Sequence, residues 1–456
     1  MSHHCRLLAR TDPEPRRRPR PDPDDPLSIA ECRQLAHATL PLVEEHLPLP
    51  RPLGAIYSSQ ECMAVLLLSD LERTSPEGAA RRAHLVRQLA PSGHASFLPS
   101  ADTSLAALHV LPTAQVEAGL QAALHDQVTH AVAQGVLPAD QPLILAGDCH
   151  DILTYHRKKP RRVPAKLRPS RALPLAVGTK PELGTTLAYR FLTFQTTRGA
   201  PLTVHVDPFL PLESLPAKLT RGLDITEARL SRSIDLLLYD AGAHSNEVLL
   251  ALQRRGTPFI IRASQNSRIA ALLREHAGLC CFVLPDFPVL AKGNRADAPI
   301  ATTTLVGLKR EVLDEVGIDT PHTERDVRWF TFLTHLTPEA GESDRDFALR
   351  VVRLYKERWC VETGYRGHEE LRGFTHALHY DVRLLQYFLA VILSNVWALQ
   401  RWKDGETWTK RTVAEFLAFA LLFGLHAEGG VARHEVQVSS RAVDPAMALG
   451  GGDQET

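Results

Sequence analysis

Residues 234–263 read IDLLLYDAGAHSNEVLLALQRRGTPFIIRA. Ile234–Tyr239 is an apolar run that suits a buried strand, and it closes on an acid, Asp240. Ser245–Arg255 repeats its apolar residues at helical spacing and stops at Gly256. Pro258–Ala263 is a second apolar run. Strand, helix and strand in succession make one α/β unit, and such a unit needs more sheet to rest on.

The flanks supply that sheet. Leu143–Gly147 is a short apolar run that ends in Asp148. Ala188–Thr197 and Pro201–Phe209 read as two strands joined across Arg198-Gly199, and Glu213–Ser231 can be helical. Residues 264–326 are less regular, with strand-like pieces at Cys281–Leu284 and Ile300–Val306. Arg328–Leu336 is a clear strand, and one long helix is expected from Phe347 to Leu371, with more helices to Ala427. A mixed sheet with helices on its faces is the natural packing.

The N-terminal side has a different period. Ile29, Cys32, Leu35, Ala36 and Leu40 fall near helical spacing. Ser75-Pro76-Glu77 reads as a helix start, and Thr113 opens another helix through Val116, Leu120, Leu124 and Val128. This part has room for a helix-turn-helix after Pro99; a plain helical cap fits equally. The expected organisation is a disordered basic, Pro-rich tail (1–27), a helical domain that is either DNA-binding or a structural cap (28–140), the first part of a core (141–263), a β-rich insertion (264–336), a helix with C-terminal helices (337–430) and a loose tail (431–456).

Composition excludes more than it selects. Lys+Arg and Asp+Glu are both 52, so any phosphate affinity must come from local patches rather than from net charge. The seven cysteines are scattered without a CxxC pair, which points to reduced thiols in a cytosol. No apolar signal-peptide region opens the chain. Leu384–Leu399 and Phe416–Leu425 are apolar but shorter than a membrane span needs, so they are expected as buried helices. A soluble, cytoplasmic protein with no membrane partner is the expectation.

Two carboxylates therefore stand out. Asp148 and Asp240 each close an apolar strand, where a buried charge costs desolvation unless it meets water, a donor or a metal. Singly, each fits a strand-terminating residue. A third acid lies in Tyr355-Lys356-Glu357-Arg358-Trp359-Cys360-Val361-Glu362-Thr363-Gly364-Tyr365-Arg366. On one continuous helix Tyr355, Arg358, Glu362 and Tyr365 share a face. By itself this helix fits an Arg358–Glu362 ion pair at four-residue spacing. Asp151, three residues from Asp148, falls on the opposite strand face and reads as a turn or supporting residue. His150 shares the Asp148 face if the strand continues, and reads as a polar neighbour.

Together these segments resemble insertion-sequence transposases of the Asp-Asp-Glu class, in the branch with a Tyr-Arg-Glu-Lys signature and a β-rich insertion. Tyr355, Arg358 and Glu362 match that signature in type and spacing. Thr363, Tyr365, Arg366 and Arg372 look like the same branch, as does Val382-Arg383-Leu384-Leu385 leading to Asn395 and Trp397. Tyr239–Ser245 resembles the second-Asp motif, and Gly147–Asp151 followed by Tyr155 resembles the first. Pro99–Thr103 also looks like this branch, so the likeness runs from Pro99 to Trp397. One position departs: the branch's Lys falls on Glu369, an anion where a phosphate-binding cation is expected.

The resemblance implies an RNase H-like α/β fold: a mixed sheet with flanking helices, a β-rich insertion and an N-terminal helical domain. It implies catalytic, metal-binding Asp148, Asp240 and Glu362 around two Mg²⁺ ions, with Mn²⁺ as substitute. It implies cleavage at transposon ends and strand transfer into target DNA, by a homodimer in the synaptic complex. Tyr355, Arg358, Arg366 and Arg372 are expected DNA contacts. So is the acid-free basic stretch after Asp148, with Arg157, Lys158, Lys159, Arg161 and Arg162. Trp329 lies where an aromatic can stack on an unpaired base, although core packing suits it better. Two other readings share these residues: an RNase H-like nuclease without strand transfer, and a catalytically impaired DNA-binding relict, which Glu369 supports.

Overall fold

The protein is seen in a computed structural model, which describes residues 26–89, 98–154, 175–183, 185–290, 299–318, 328–373, 379–404 and 407–425. Helices come first: α1 (Pro26–His37), α2 (Leu40–His46), α3 (Ser59–Leu71), α4 (Pro76–Leu89), α5 (Ala101–His109) and α6 (Thr113–Ala133). Their starts are built by short polar side chains. Ser58 and Glu61 form a reciprocal capping box on α3, Ser75 Oγ accepts the Gly78 N–H at α4, and Ser100 Oγ accepts the Thr103 N–H at α5. The sheet-forming half follows: β1 (Ile144–Leu153), β2 (Val177–Glu182), β3 (Thr185–Thr196), β4 (Thr203–Phe209), α7 (Leu215–Leu230), β5 (Leu236–Tyr239), α8 (Asn246–Arg255), β6 (Phe259–Arg262), α9 (Ser267–Glu275), β7 (Cys281–Val289), β8 (Ala301–Lys309), α10 (Arg310–Glu315) and β9 (Trp329–Thr334). Last come α11 (Asp344–Lys356), α12 (Trp359–Leu371), α13 (Tyr380–Asp404) and α14 (Lys410–Leu422).

Contacts divide the described chain into two units. The smaller holds residues 26–89, 98–115, 371–373 and 409–425. Its axis is α3, buried from Cys62 to Leu71 and flanked by α2, α4, α5 and α14. The C-terminal α14 thus joins the N-terminal helices, and the expected boundary near 140 falls instead within α6. Buried Asp70 in this unit accepts the Gly373 N–H at 2.6 Å, and burial pushes its carboxyl well above the usual range.

The larger unit is built on one sheet with the order β2-β3-β1-β5-β6-β9-β8-β7, β4 pairing with β3. Its centre is RNase H-like: β4, β3 and β1 run antiparallel, and β5 and β6 continue from β1 in parallel. The span expected as an inserted segment, 264–336, adds β7, β8 and β9 to the same sheet, because β9 pairs antiparallel with β6. Trp329 is buried in β9 near Phe282 and is a core residue. β1 is longer than the sequence reading. It runs on to Leu153 because β3 pairs with it along its length, so Asp148 lies inside the strand rather than at its end.

One face of this sheet carries Ile144, Ala146, Leu236, Leu238, Ile260 and Phe332, packed by Phe347, Val351, Tyr355 and Val361. The helical segment above that face is not continuous. It turns at Glu357-Arg358, where N–H groups reach three residues back: Arg358 to Tyr355 and Val361 to Arg358. Glu357 pins the turn to the β3–β4 connection, accepting from Thr197 Oγ1 and from Arg198 at 2.8 and 2.9 Å. Beyond the turn, Gly364 rides directly on the Gln195 amide, which a Cβ would have to push off its bond to the Pro201 carbonyl.

Helix α13 has 25 residues and is long and apolar enough, by length and composition, to cross a membrane; 89% of its apolar window is buried inside the protein, as in a core helix. Its Asn395 works as a polar clamp. The side chain accepts the Thr203 N–H of β4, donates to the Thr203 carbonyl, and donates to Gln127. Replacing Asn395 with Leu orphans these buried groups, each at a cost of about 1–3 kcal/mol. Replacing Gly364 with Val overpacks α12 on the sheet at a cost of about 1–3 kcal/mol. Both variants are expected to lower the urea midpoint measured by circular dichroism, with the secondary structure unchanged in buffer.

Candidate functional site

The site grows from strand register. β1 and β5 pair in parallel up to Gly147 with Tyr239, so the next residues in step are Asp148 and Asp240. β5 and β6 pair up to Tyr239 with Ile261, so Asp240 is in step with Arg262. Side chains at matched positions of parallel strands share a face. Asp148, Asp240 and Arg262 thus form a row on the face covered by α11 and α12. Gly147 serves this row from behind, because a Cβ there would meet the Tyr239 ring at 2.7 Å and Phe194 at 3.1 Å.

The end of α11 and the following turn close over the row. Arg358 is buried, with its guanidinium 3.5 Å from the Asp148 carboxylate and over the Tyr355 ring. A buried cation needs such a counter-charge. Burial pushes the Tyr355 phenol up to about 12; Arg358 and Arg262 pull it down, and Asp240 adds to the rise. Tyr355 therefore feels two members of the row, Arg262 and Asp240. Asp240 Oδ1 accepts the Gly242 N–H at 2.9 Å, which caps the turn after β5. The backbone N–H of Cys149 meets Asp148 Oδ1 at 2.7 Å.

Further along β1 the alternation holds. His150 lies on the Asp148 face, and its Nε2 is 2.9 Å from Glu369 Oε1 on α12. Its ring lies beside Tyr365 and Tyr387. Asp151, on the other face, takes a two-pronged bond from its cross-strand partner Arg190 at 2.6 and 2.7 Å. Tyr365 meets Thr193 Oγ1 at 2.5 Å, and burial, then nearby Asp148, holds its phenol far above the ordinary range. On the reverse face Cys149 contacts the Tyr239 hydroxyl, and burial pushes its thiol up to about 11.

Asp148, Asp240, Tyr355 and Arg358 are thus brought together. Glu362 lies in the first turns of α12; its side chain is outside the described residues. Arg366 is exposed on α12, and Arg372 belongs to the smaller unit, where its charge acts on Asp70. Arg157, Lys158, Lys159, Arg161 and Arg162 are outside the described residues. Sequence reading missed Arg262, stacked over Phe330 and Phe332 at 4.6 and 5.2 Å. The signal was present: a charge closing the apolar run Phe259-Ile260-Ile261, as Asp240 closes its own.

Two carboxylates in step on one sheet face are oxygen donors of the kind that a hard divalent cation takes, while the Arg358 guanidinium is a counter-charge to Asp148 and not a ligand. Among the described residues no three His, Cys, Asp or Glu side chains group to hold a metal. The Glu362 side chain is not among those residues.

No protein-family model matches the sequence. No curated protein matches it either. The fold is similar to that of a piggyBac transposase, seen by cryo-EM in a synaptic complex with hairpin DNA. That likeness covers 93% of this chain and 87% of the other, with a TM-score of 0.50 and 11% identity. At that identity it is a likeness of fold, and the fold is one that a transposase uses.

The buried phenol has a measurable consequence. Below pH 10 Tyr355 is neutral in the folded and unfolded chain alike. Between pH 10 and about 12 the unfolded chain releases the proton while the folded chain keeps it, so stability falls as pH rises. The loss from this group is at most roughly 1.4 kcal/mol per pH unit. Urea midpoints measured from pH 9 to 11.5 are expected to fall less steeply in Tyr355→Phe than in the wild type. Equal slopes would show a phenol in an ordinary setting.

Proposed function

We propose that the chain is a DNA transposase of the Asp-Asp-Glu class, of the branch with the Tyr-Arg-Glu-Lys signature. The observation that carries this reading is the in-step pair Asp148 and Asp240 beneath Tyr355 and Arg358. The RNase H-like sheet and its likeness to a transposase solved with DNA support it. The substrates are the transposon's terminal inverted repeats and a target DNA. The protein acts as a homodimer on the two ends, in the cytoplasm and on the nucleoid.

Asp148, Asp240 and Glu362 would hold two Mg²⁺ ions, or Mn²⁺, as hard oxygen donors. When bound, the ions supply activation of the attacking oxygen and stabilisation of the leaving one. In the first reaction water attacks the phosphodiester at the element end and the DNA 3′-oxygen leaves as a hydroxyl. In the second, that 3′-hydroxyl attacks a target phosphodiester, the new P–O bond replaces the bond to the target's own 3′-oxygen, and that oxygen leaves as a hydroxyl. Arg358 holds Asp148 in place and, with Tyr355, orients the cleaved end. Arg366 and the basic stretch from Arg157 to Arg162 meet backbone phosphates, which fixes position without reading sequence.

The test uses purified full-length protein, Mg²⁺ and labelled duplexes carrying the DNA that flanks the gene. The wild type is expected to cleave at the terminal repeat and to join the end to a plasmid. Asp148→Asn, Asp240→Asn and Glu362→Gln are each expected to lose at least about 10²-fold in cleavage, as when a charge-stabilising group is removed from the reacting centre. Full-rate cleavage by a folded Asp148→Asn variant would sink the assignment. Cleavage without joined product would favour a nuclease, and DNA binding without cleavage would favour a relict, the reading for which Glu369 speaks.

A further inference from the structure

We infer that His150 and Glu369 form a positioning pair that fixes α12 against β1, the two elements that carry Glu362 and Asp148, so that the half-exposed Glu369 serves the metal site through a contact within the protein instead of contacting DNA. The inference rests on the proposed function and deepens it. Three observations carry it.

The first is the contact itself. His150 Nε2 and Glu369 Oε1 are 2.9 Å apart, and the His150 side chain is largely buried. The bond forms with a neutral ring, whose Nε2–H donates to the carboxylate, as well as with a charged one. The second is position. His150 lies two residues after Asp148, on the same face of β1. Glu369 lies seven residues after Glu362, two helical turns along the same stripe of α12. The pair therefore joins the two elements that carry these acids, two residues beyond Asp148 on β1 and two helical turns beyond Glu362 on α12. The third is the surroundings. The His150 ring packs against Tyr365 at 4.8 Å and Tyr387 at 5.6 Å, and Tyr387 stacks on Phe191 of β3 at 4.2 Å. The imidazole cannot swing without unpacking both tyrosines, so the Glu369 partner is aimed rather than loose.

This gives the anion at the signature's Lys position a physical reason. A carboxylate facing DNA would repel phosphate. A carboxylate engaged by a ring of β1 instead restrains the slide of α12 over the sheet. Metal ligands need their distances held, and residues that orient them typically matter about 10–100-fold in metal affinity.

The test measures Mn²⁺ binding to the full-length protein without DNA, by calorimetry, and binding to terminal-repeat duplex without metal, by gel shift. Glu369→Ala and Glu369→Lys are expected to weaken Mn²⁺ binding by about 10-fold, and Glu369→Gln, which keeps an acceptor oxygen, by no more than about 2-fold. His150→Phe keeps the ring packing and loses the bond, so it is expected to match Glu369→Ala. The double variant His150→Phe with Glu369→Ala is expected to be no weaker than either single variant, because the two residues act through each other. DNA binding is expected to be unchanged in Glu369→Ala. Unchanged Mn²⁺ affinity in His150→Phe and Glu369→Ala overturns the inference while leaving the transposase reading intact. So does stronger end binding by Glu369→Lys with full Mn²⁺ affinity, which would return position 369 to the DNA. A wild type that binds no Mn²⁺ and cleaves no DNA overturns the transposase reading, and this inference with it.

Discussion

The parallel register of three short strands is the constraint on which the rest depends. Gly147 pairs with Tyr239, and Tyr239 with Ile261. One step further along each strand stand Asp148, Asp240 and Arg262. A slip of one residue in either pairing would send one member of that row to the opposite face. The register is held because both faces of β1, β5 and β6 are buried. Ala146 and Leu238 pack beneath α11, while Leu237 and Tyr239 are buried on the other side. Desolvated apolar area on two sides penalises every alternative alignment, and the polar row lies where that apolar packing gives out.

The helices over the row are placed by contacts of a different kind. A continuous helix from Phe347 to Leu371 would keep one inclination to the sheet. The break at Glu357-Arg358 lets α11 and α12 follow the sheet separately, and Glu357 anchors the break to Thr197 and Arg198. α12 then lies close because Gly364 offers no side chain to Gln195, and Tyr365 and Glu369 take up polar partners on β3 and β1. Arg358 reaches Asp148 from the break itself, which explains how an arginine can be buried there without an isolated charge.

Local patterning made much of this legible. The runs ending at Tyr239 and Arg262, the helix stopped by Gly256 and the hairpin across Arg198-Gly199 all follow from period and turn chemistry, and all are present. The length of β1 was not legible. Its second half, Cys149-His150-Asp151-Ile152, is polar and reads as a loop, yet β3 supplies a full ladder of hydrogen bonds and Arg190 neutralises Asp151 across it. The helix break escaped for a similar reason: Lys356-Glu357-Arg358 are good helix formers, and the contacts that hold the turn come from distant Thr197 and Arg198. Arg372 shows the opposite limit: nothing in the sequence signalled that its charge would act on buried Asp70, in the smaller unit.

By itself the sequence determined most element types, the closing of one buried strand by Asp240, the place of Asp148 after an apolar run, and the spacing of Tyr355, Arg358 and Glu362, because apolar period and residue chemistry are local properties. Tertiary structure alone decided that the two aspartates stand in step, that Arg262 joins them, that residues 264–336 extend one sheet, and that Glu369 meets His150. Each of these depends on which strands and helices become neighbours, and that is settled by burial across the whole sheet rather than by any segment within it.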